Sequence, residues 1–264
     1  EWNGAAFESV VMDDMHSPRG EISGIGPLET LDIQDIDGKG TLELIWKWDI
    51  PVFSTYREGL PWRKETDIYR WNGKRYIFYT MEYSPPEYRF QAVQDGDRAS
   101  LAGEYDKALD LYQQAIFSDK LDWWSLERRV YEQDNFPMIK PTPIASLLPD
   151  PNEYPNLAAY ARYRIMLLHI VRGFLPEAQE VYTTLVEKYP VGDAGHAYVE
   201  LASTFWNEYQ SSGSIEGACS QAIQYTETHP QDILFYIGNS KYNEWPQYGE
   251  QSNYYEAGDI CPFR

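Results

Sequence analysis

Residues 173–190 read GFLPEAQEVYTTLVEKYP, and the spacing of small and large residues in this segment indicates a helix. Gly173 is followed five residues later by Ala178 and nine residues later by Tyr182, and the segment ends at Pro190. A small side chain lets two helix backbones approach, and the aromatic residue four positions on shares its face. Proline cannot continue a helix. We therefore predict the second helix of an antiparallel pair that turns at Gly173.

The same spacing recurs in two other segments of the chain. GEYDKALDLYQQAIFSD places Ala108 five residues after Gly103, and GSIEGACSQAIQYTETHP places Ala218 five residues after Gly213. A run with helical periodicity precedes each of the three segments, which predicts a partner helix for each. The three predicted copies span residues 89–122, 159–192 and 199–232.

These copies resemble tetratricopeptide repeats, a family of stacked helix pairs. The resemblance implies a helical array whose first helices line a concave groove for an extended peptide. Two features depart from the family pattern: the proline-rich insertion after the first copy, and Ala222 in place of a large aromatic residue in the third. We therefore expect helix pairs without a regular superhelix. Carried over residue by residue, the resemblance places the partner-binding groove at Asp97, Ser100, Tyr160, Tyr163, Glu200, Asn207 and Gln210.

The rest of the chain divides by composition into three regions. Residues 1–87 contain runs rich in β-branched and aromatic residues and predict an antiparallel β region, with a type I′ hairpin at Asn72 and Gly73. Residues 88–237 hold the helical repeats, interrupted by the proline-rich insertion at 134–156. Residues 238–264 predict an ordered but irregular tail. The predicted fold class is α+β: a small N-terminal antiparallel sheet, a three-repeat helical array and an irregular C-terminal tail.

The stretch DIDGKGTLEL, residues 35–44, resembles the loop of FG-GAP and VCBS-type β repeats, which holds calcium. Asp35, Asp37 and Glu43 match the ligand positions of that family, but Lys39 stands where a further acid is expected. Calcium requires six to eight oxygen ligands. The Lys39 ammonium would neutralise the neighbouring carboxylates instead, so we expect a degenerate loop without metal.

The totals restrict the classes of function. The chain has 264 residues, 43% hydrophobic residues, 9 Trp, 22 Tyr and a net charge of −19. This composition predicts a folded chain, and the negative field disfavours nucleic acid and anionic membranes as partners. No apolar run is long enough to span a bilayer. Because no catalytic or cofactor-binding motif emerges, we expect a non-enzyme without a cofactor.

The two cysteines bear on the compartment. Cys219 and Cys261 lack metal-ligand spacing, and a disulfide that pins the tail to the preceding helix is their simplest use; two buried free thiols are the alternative. A disulfide predicts an extracytoplasmic setting, and the start at Glu1 fits a processed N-terminus. The repeats and the terminal DICPF resemble envelope-anchored repeat proteins of filamentous bacteria. That resemblance implies a lipid-anchored segment before Glu1.

We therefore predict a non-catalytic extracytoplasmic scaffold that binds a protein partner. Two alternatives remain open. The chain could be a structural subunit that self-assembles, or it could be a glycan-binding module or glycoside hydrolase accessory, since flat aromatic rings suit both uses. The tail residues that could form such a surface are Tyr248, Tyr254 and Tyr255.

Overall fold

The computed structural model describes residues 29–48, 63–135, 146–238 and 255–263. They belong to two compact units, a β unit that ends at Pro85 and a helical unit that continues from Pro86. The predicted α+β fold class is confirmed, because an antiparallel sheet precedes a series of helices. None of the helices in these residues combines the length and the apolar character that crossing a membrane requires.

The β unit contains a four-stranded antiparallel sheet in the order β1-β2-β3-β4. Its strands are β1 (Glu29–Gln34), β2 (Glu43–Trp48), β3 (Glu65–Trp71) and β4 (Tyr76–Tyr83). Leu44 lies opposite Tyr69, which lies opposite Phe78, so these side chains share one face and pack together. Ile45 and Ile68 pair on the other face and are also buried. Both faces of the sheet therefore carry buried side chains.

The hairpin between β3 and β4 lies where the sequence predicts it, but its turn differs. Gly73 has a φ of 96°, whereas no described residue other than glycine has a positive φ, so the type I′ turn predicted at Asn72 is wrong. Instead the Asn72 side-chain oxygen accepts hydrogen bonds from the backbone N–H groups of Lys74, at 3.0 Å, and Arg75, at 2.9 Å. The asparagine stabilises the turn through its side chain rather than through a left-handed backbone.

The described part of the helical unit contains eight α-helices. They are α1 (Arg89–Leu101), α2 (Tyr105–Phe117), α3 (Trp124–Asn135), α4 (Glu153–Val171), α5 (Leu175–Lys188), α6 (His196–Ser212), α7 (Ile215–Thr228) and α8 (Pro230–Leu234). Helix α1 packs on α2, α4 on α5 and α6 on α7, and each pair is joined by only two or three residues. Connections this short make the paired helices antiparallel. Helix α4 also packs on α2 and α6, so the pairs follow one another in space.

The residues that the repeat spacing singles out take up the expected positions within these pairs. The alanines in the first turn of each second helix are completely buried. The glycines that precede these helices have a left-handed backbone, which favours glycine. The alanines, all 0% exposed, are Ala108, Ala178 and Ala218. The glycines, with φ of 76°, 79° and 68°, are Gly103, Gly173 and Gly213.

The insertion predicted at 134–156 is shorter than expected at its end. Helix α4 begins at Glu153 and therefore includes Pro155. Proline is compatible with the first turn of a helix, where its missing N–H would have no intrahelical partner, and the proline count of this segment conceals the start of the helix. Helix α3 is an addition that the repeat pattern does not predict. The part of the insertion at 136–145 lies outside the described residues.

Within the predicted tail, the structure describes residues 255–263, which we call the C-terminal segment. It contains a short 3₁₀ helix, Ala257–Ile260, and packs on α7. Cys261 forms a disulfide with Cys219 of α7, which confirms the predicted bond and excludes the alternative of two free thiols. The segment is therefore tied covalently to the helical unit.

Candidate functional site

A buried ion pair joins α1 and α4 inside the helical unit. The Nε atom of Arg164 lies 2.9 Å from Oδ1 of Asp97, and the two side chains are 1% and 8% exposed. Burying two charges is unfavourable unless further hydrogen bonds satisfy the remaining donors and acceptors. The groups around the pair therefore determine whether it stabilises the fold.

Three tyrosine hydroxyls supply hydrogen bonds to Asp97. Tyr112 of α2 donates to Oδ1 at 2.5 Å, while Tyr160 of α4 and Tyr255 of the C-terminal segment donate to Oδ2 at 2.9 Å and 2.6 Å. Burial raises the pKa of all three hydroxyls well above the ordinary value, so they remain protonated donors. Asp97, on α1, thus receives hydrogen bonds from α2, α4 and the C-terminal segment.

The guanidinium of Arg164 holds the main chain of the C-terminal segment. Its Nη1 atom donates to the carbonyl oxygens of Asp259, at 3.1 Å, and Ile260, at 2.9 Å. Burial acts to lower the pKa of Arg164, but the attraction of Asp97 and of nearby tyrosines outweighs it and holds the pKa well above its ordinary value. The charged arginine therefore binds the segment through its backbone.

The C-terminal segment is thus held by three independent attachments. These are a side-chain hydroxyl at Tyr255, two main-chain carbonyls received by Arg164 and the covalent bond at Cys261. Main-chain hydrogen bonds combined with a specific side-chain contact are how binding proteins recognise extended peptides. The helical unit binds part of its own chain in this manner.

Four positions of the predicted groove and one of the tail tyrosines are buried in the helical unit. All five residues are at most 7% exposed, so they form part of the core rather than a surface open to a partner. The family pattern places the four groove residues on a concave face, but here they pack inside the helical unit. Three of the five take part directly in the contact between α1, α4 and the C-terminal segment. The five residues are Asp97, Ser100, Tyr160, Tyr163 and Tyr255.

The other predicted partner-binding residues have different positions. Glu200, Asn207 and Gln210 are exposed on α6, so this helix retains a polar surface. Tyr248 and Tyr254 lie outside the described residues. Among the predicted partner-binding residues that the structure describes, Glu200, Asn207 and Gln210 are therefore the exposed ones.

A polar pocket of about 480 Å³ lies where the start of α4 approaches the start of α6 and helix α8. No Lys or Arg occurs among the described residues that line it. Two aromatic residues and several amide and carboxylate side chains form its wall. The lining residues are Asn152, Asn156, Gly192, Asp193, Ala194, Gly195, His196, Ala197, Gln231, Asp232, Phe235 and Tyr236.

The walls of this pocket are held in place by hydrogen bonds. Tyr236 donates to Oδ2 of Asp150 at 2.9 Å, and the Asn156 amide donates to the carbonyl oxygen of Asn152 at 2.8 Å. His196 lies with Nδ1 2.8 Å from the carbonyl oxygen of Tyr189. These bonds fix the aromatic, amide and imidazole side chains before any ligand arrives.

The loop between β1 and β2 brings three carboxylates together. One ligand-type oxygen from each of Asp35, Asp37 and Glu43 lies within 4.8 Å of the others, so these residues could hold a metal. Two positively charged side chains pair with these carboxylates. Lys39 Nζ lies 2.9 Å from Asp37, and the Arg70 guanidinium of β3 lies 3.5 Å from both Asp37 and Glu43. The hydrogen bond from Lys39 lowers the pKa of Asp37.

Backbone N–H groups also use the carboxylate oxygens of this loop. Gly40 donates to Oδ2 of Asp35 at 2.8 Å, and Ile36 donates to Oε2 of Glu43 at 3.0 Å. These bonds tie two of the carboxylates to the backbone of the loop itself. Arg70 was not part of the sequence-based account, because nothing in the loop itself indicates which residue of a later strand approaches it.

Sequence reasoning missed the residues that organise the helical unit. Arg164 and Tyr112 both bind Asp97. Glu153 is 0% exposed and accepts hydrogen bonds from the backbone N–H groups of Trp124 and Ser125, both at 3.1 Å. Burial raises the pKa of Glu153, while its hydrogen bonds oppose this shift. The available signal was a charged residue inside an apolar helix, YARYRIMLL, because such a residue is rarely buried without a partner.

No protein family, no curated protein and no solved structure gives a match to this chain.

Proposed function

We propose that this chain is a non-catalytic scaffold that binds a protein partner outside the cytoplasm. The observation that carries the proposal is the C-terminal segment, which the helical unit holds through main-chain carbonyls, a tyrosine hydroxyl and a disulfide. A stack of helix pairs that binds a peptide segment of its own is built for peptide contacts.

The disulfide supports the location in this proposal. Bonds between cysteines persist in oxidising compartments and are rare in the cytosol. The Cys219–Cys261 bond is buried, with the two residues 2% and 0% exposed. It is therefore compatible with a secreted or envelope-attached protein, which agrees with the resemblance to envelope-anchored repeat proteins.

The surface proposed for the partner is the exposed face of α6. Glu200, Asn207 and Gln210 lie on this helix at spacings of seven and three residues, which places them along one side of it. Four of the seven groove positions that the resemblance implies are buried in this chain. A partner therefore has to use side chains that remain exposed, and these three residues are the exposed ones among the predicted positions that the structure describes.

A comparison of two triple variants tests the proposal. The first is Glu200→Ala with Asn207→Ala and Gln210→Ala. The matched control, on exposed positions of α7, removes one Glu and two amides in the same way: Gln221→Ala, Gln224→Ala and Glu227→Ala. The tagged, oxidised full chain and both variants are cross-linked in the native cell envelope, and the bound proteins are quantified by mass spectrometry.

The expected result is a stoichiometric protein partner that the wild type and the α7 control retain and the α6 variant loses. Equal recovery of the partner by all three proteins would remove α6 as the binding surface. The scaffold proposal itself is contradicted if the wild type yields only copies of itself, because this result favours a self-assembling structural subunit. Sedimentation of the purified chain distinguishes these cases, since a scaffold remains monomeric without its partner.

A further inference from the structure

The polar pocket at the start of α4 and α6 has features of a ligand site that the proposed scaffold function does not use. Its volume of about 480 Å³ falls within the range of roughly 300–1,000 Å³ that small-molecule sites occupy. Its lining comes from three separate parts of the helical unit: the start of α4, the connection from α5 into α6, and α8 with the residues after it. A pocket assembled from distant segments is positioned by the fold and not by one loop.

Three side chains at the pocket have hydrogen-bonding capacity to spare. Asp193, Gln231 and Asp232 are exposed, and none of them forms a side-chain hydrogen bond to another described residue. The carboxylates only accept hydrogen bonds, whereas the Gln231 amide both donates and accepts. A ligand that satisfies all three must therefore donate several hydrogen bonds and accept at least one.

This requirement discriminates between classes of ligand. An anion is repelled by Asp193 and Asp232, and the described lining offers no Lys or Arg to bind it. An ammonium or guanidinium group only donates, so it leaves the Gln231 donors unused. A hydroxyl group donates and accepts at once, and a ligand with several hydroxyls on a compact ring fits all the polar groups of the wall.

The aromatic residues favour the same class. Phe235 and Tyr236 line the pocket with ring centroids 4.8 Å apart at an interplanar angle of 75°. Tyr236 is fixed by its hydrogen bond to Asp150. The carbon–hydrogen face of a pyranose ring is apolar and packs well on an aromatic ring, which buries area at low entropic cost. Polar side chains beside aromatic rings therefore match the two kinds of surface that a sugar presents.

We propose that this pocket binds a neutral saccharide of one or two rings. Gln231 and Asp232 of α8 contact hydroxyls from one side, Asp193 contacts them from the connection before α6, and Phe235 or Tyr236 packs against the ring face. The site differs from the tail tyrosines considered above as a glycan surface. It adjoins the α6 face at His196, whose Nε2 lies 3.1 Å from Oε1 of Glu200, but Asp193, Gln231 and Asp232 are not part of that face. Its failure would leave the scaffold proposal standing.

Ligand-observed saturation-transfer NMR on the oxidised full chain tests this site. The probes are glucose, galactose, mannose, N-acetylglucosamine, cellobiose, lactose and chitobiose, with a lysine tripeptide and inorganic phosphate as counter-probes. The variants are Gln231→Ala and Asp232→Ala, which change exposed side chains. Their matched controls are Gln224→Ala on α7 and Asp110→Ala on α2, which are also exposed.

At least one neutral saccharide is expected to bind, and each pocket variant is expected to weaken it roughly 3- to 10-fold, the loss of one hydrogen bond. The controls should bind like the wild type. Three results would overturn the inference: no transfer to any saccharide, binding that Gln231→Ala and Asp232→Ala leave unchanged, or binding of the lysine tripeptide or phosphate alone.

Discussion

The guanidinium of Arg164 and the carboxylate of Asp97 form a buried ion pair, and the C-terminal segment forms hydrogen bonds with both groups. Tyr255 donates to the carboxylate, and the carbonyl oxygens of Asp259 and Ile260 accept from the guanidinium. The C-terminal segment thus satisfies charges on α1 and α4. This arrangement couples the docking of the segment to the stability of the helical unit.

Removing one partner of this ion pair should destabilise the helical unit strongly. Asp97→Ala leaves the buried Arg164 charge and three tyrosine hydroxyls without their acceptor, which we expect to cost about 3–5 kcal/mol. Urea unfolding followed by near-ultraviolet circular dichroism measures the loss. The control is Asp106→Ala, since Asp106 pairs with Arg172 at 2.9 Å but is 88% exposed. Similar losses for both variants would show that the buried pair has no special role.

The close packing of α1 against Tyr112 makes Gly96 sensitive to substitution. A methyl group added to Gly96 would lie 2.6 Å from the Tyr112 ring, so Gly96→Ala displaces the residue that bonds Asp97. We expect a loss of about 1–3 kcal/mol from overpacking. Gly217→Ala on α7 is the control, because its nearest atom is 3.4 Å away and alanine favours the helix by about 1 kcal/mol. Thermal unfolding of both variants measures the change in stability. A stabilising effect of Gly96→Ala would contradict this packing.

The disulfide should stabilise the native chain and hold the C-terminal segment in place. It closes a loop between residues 42 positions apart, and the entropy lost by the unfolded chain is worth about 4 kcal/mol. We expect Cys219→Ser with Cys261→Ser to lower stability by this order. Hydrogen exchange, read by mass spectrometry, should show faster exchange at residues 255–263 in the double variant.

The control for the disulfide is the oxidised wild type treated with a dithiol under native conditions. Because both cysteines are buried, reduction requires the segment to open first and should be slow. Unchanged exchange in the double serine variant would show that the noncovalent contacts to Arg164 and Asp97 suffice to dock the segment.

The β1–β2 loop should not bind calcium with its present residues. Lys39 and Arg70 already compensate the charge of Asp37 and Glu43, and an entering ion would have to displace them. Lys39→Asp removes one cation and adds a carboxylate, so we expect it to gain calcium affinity relative to the wild type in isothermal titration calorimetry. Calcium binding by the wild type that Asp35→Asn abolishes would contradict this prediction.

The sequence was informative about helices and much less so about the tertiary position of polar residues. The spacing of Gly173 and Ala178 predicts a turn and a close crossing because it depends on local geometry, and both are present. The fate of Asp97 depends on a residue more than 150 positions away, Tyr255, which no local pattern can reveal. Periodicity placed Asp97 on the correct helix. The resemblance to tetratricopeptide repeats then implied a position in a groove, whereas the side chain is buried.

The buried tyrosines predict that the helical unit unfolds at alkaline pH. An ordinary tyrosine has a pKa of about 10. In the folded chain, burial raises the pKa of Tyr88 to about 12, and it also raises the pKa of Tyr163 and of Tyr198. Those with a pKa above the ordinary value also include Tyr112, Tyr160, Tyr189, Tyr225, Tyr236 and Tyr255.

The sign of the effect follows from proton binding. Above about pH 10 the unfolded chain has released these protons while the folded chain retains them, so rising pH favours unfolding. The stabilisation is complete below about pH 10 and is lost as the pH rises toward and through the folded-state values. A titration of phenolate absorbance should therefore show that the buried tyrosines ionise only in step with the loss of circular dichroism. If all tyrosines ionise near the ordinary value while the helices remain folded, the buried hydroxyl network around Asp97 is contradicted.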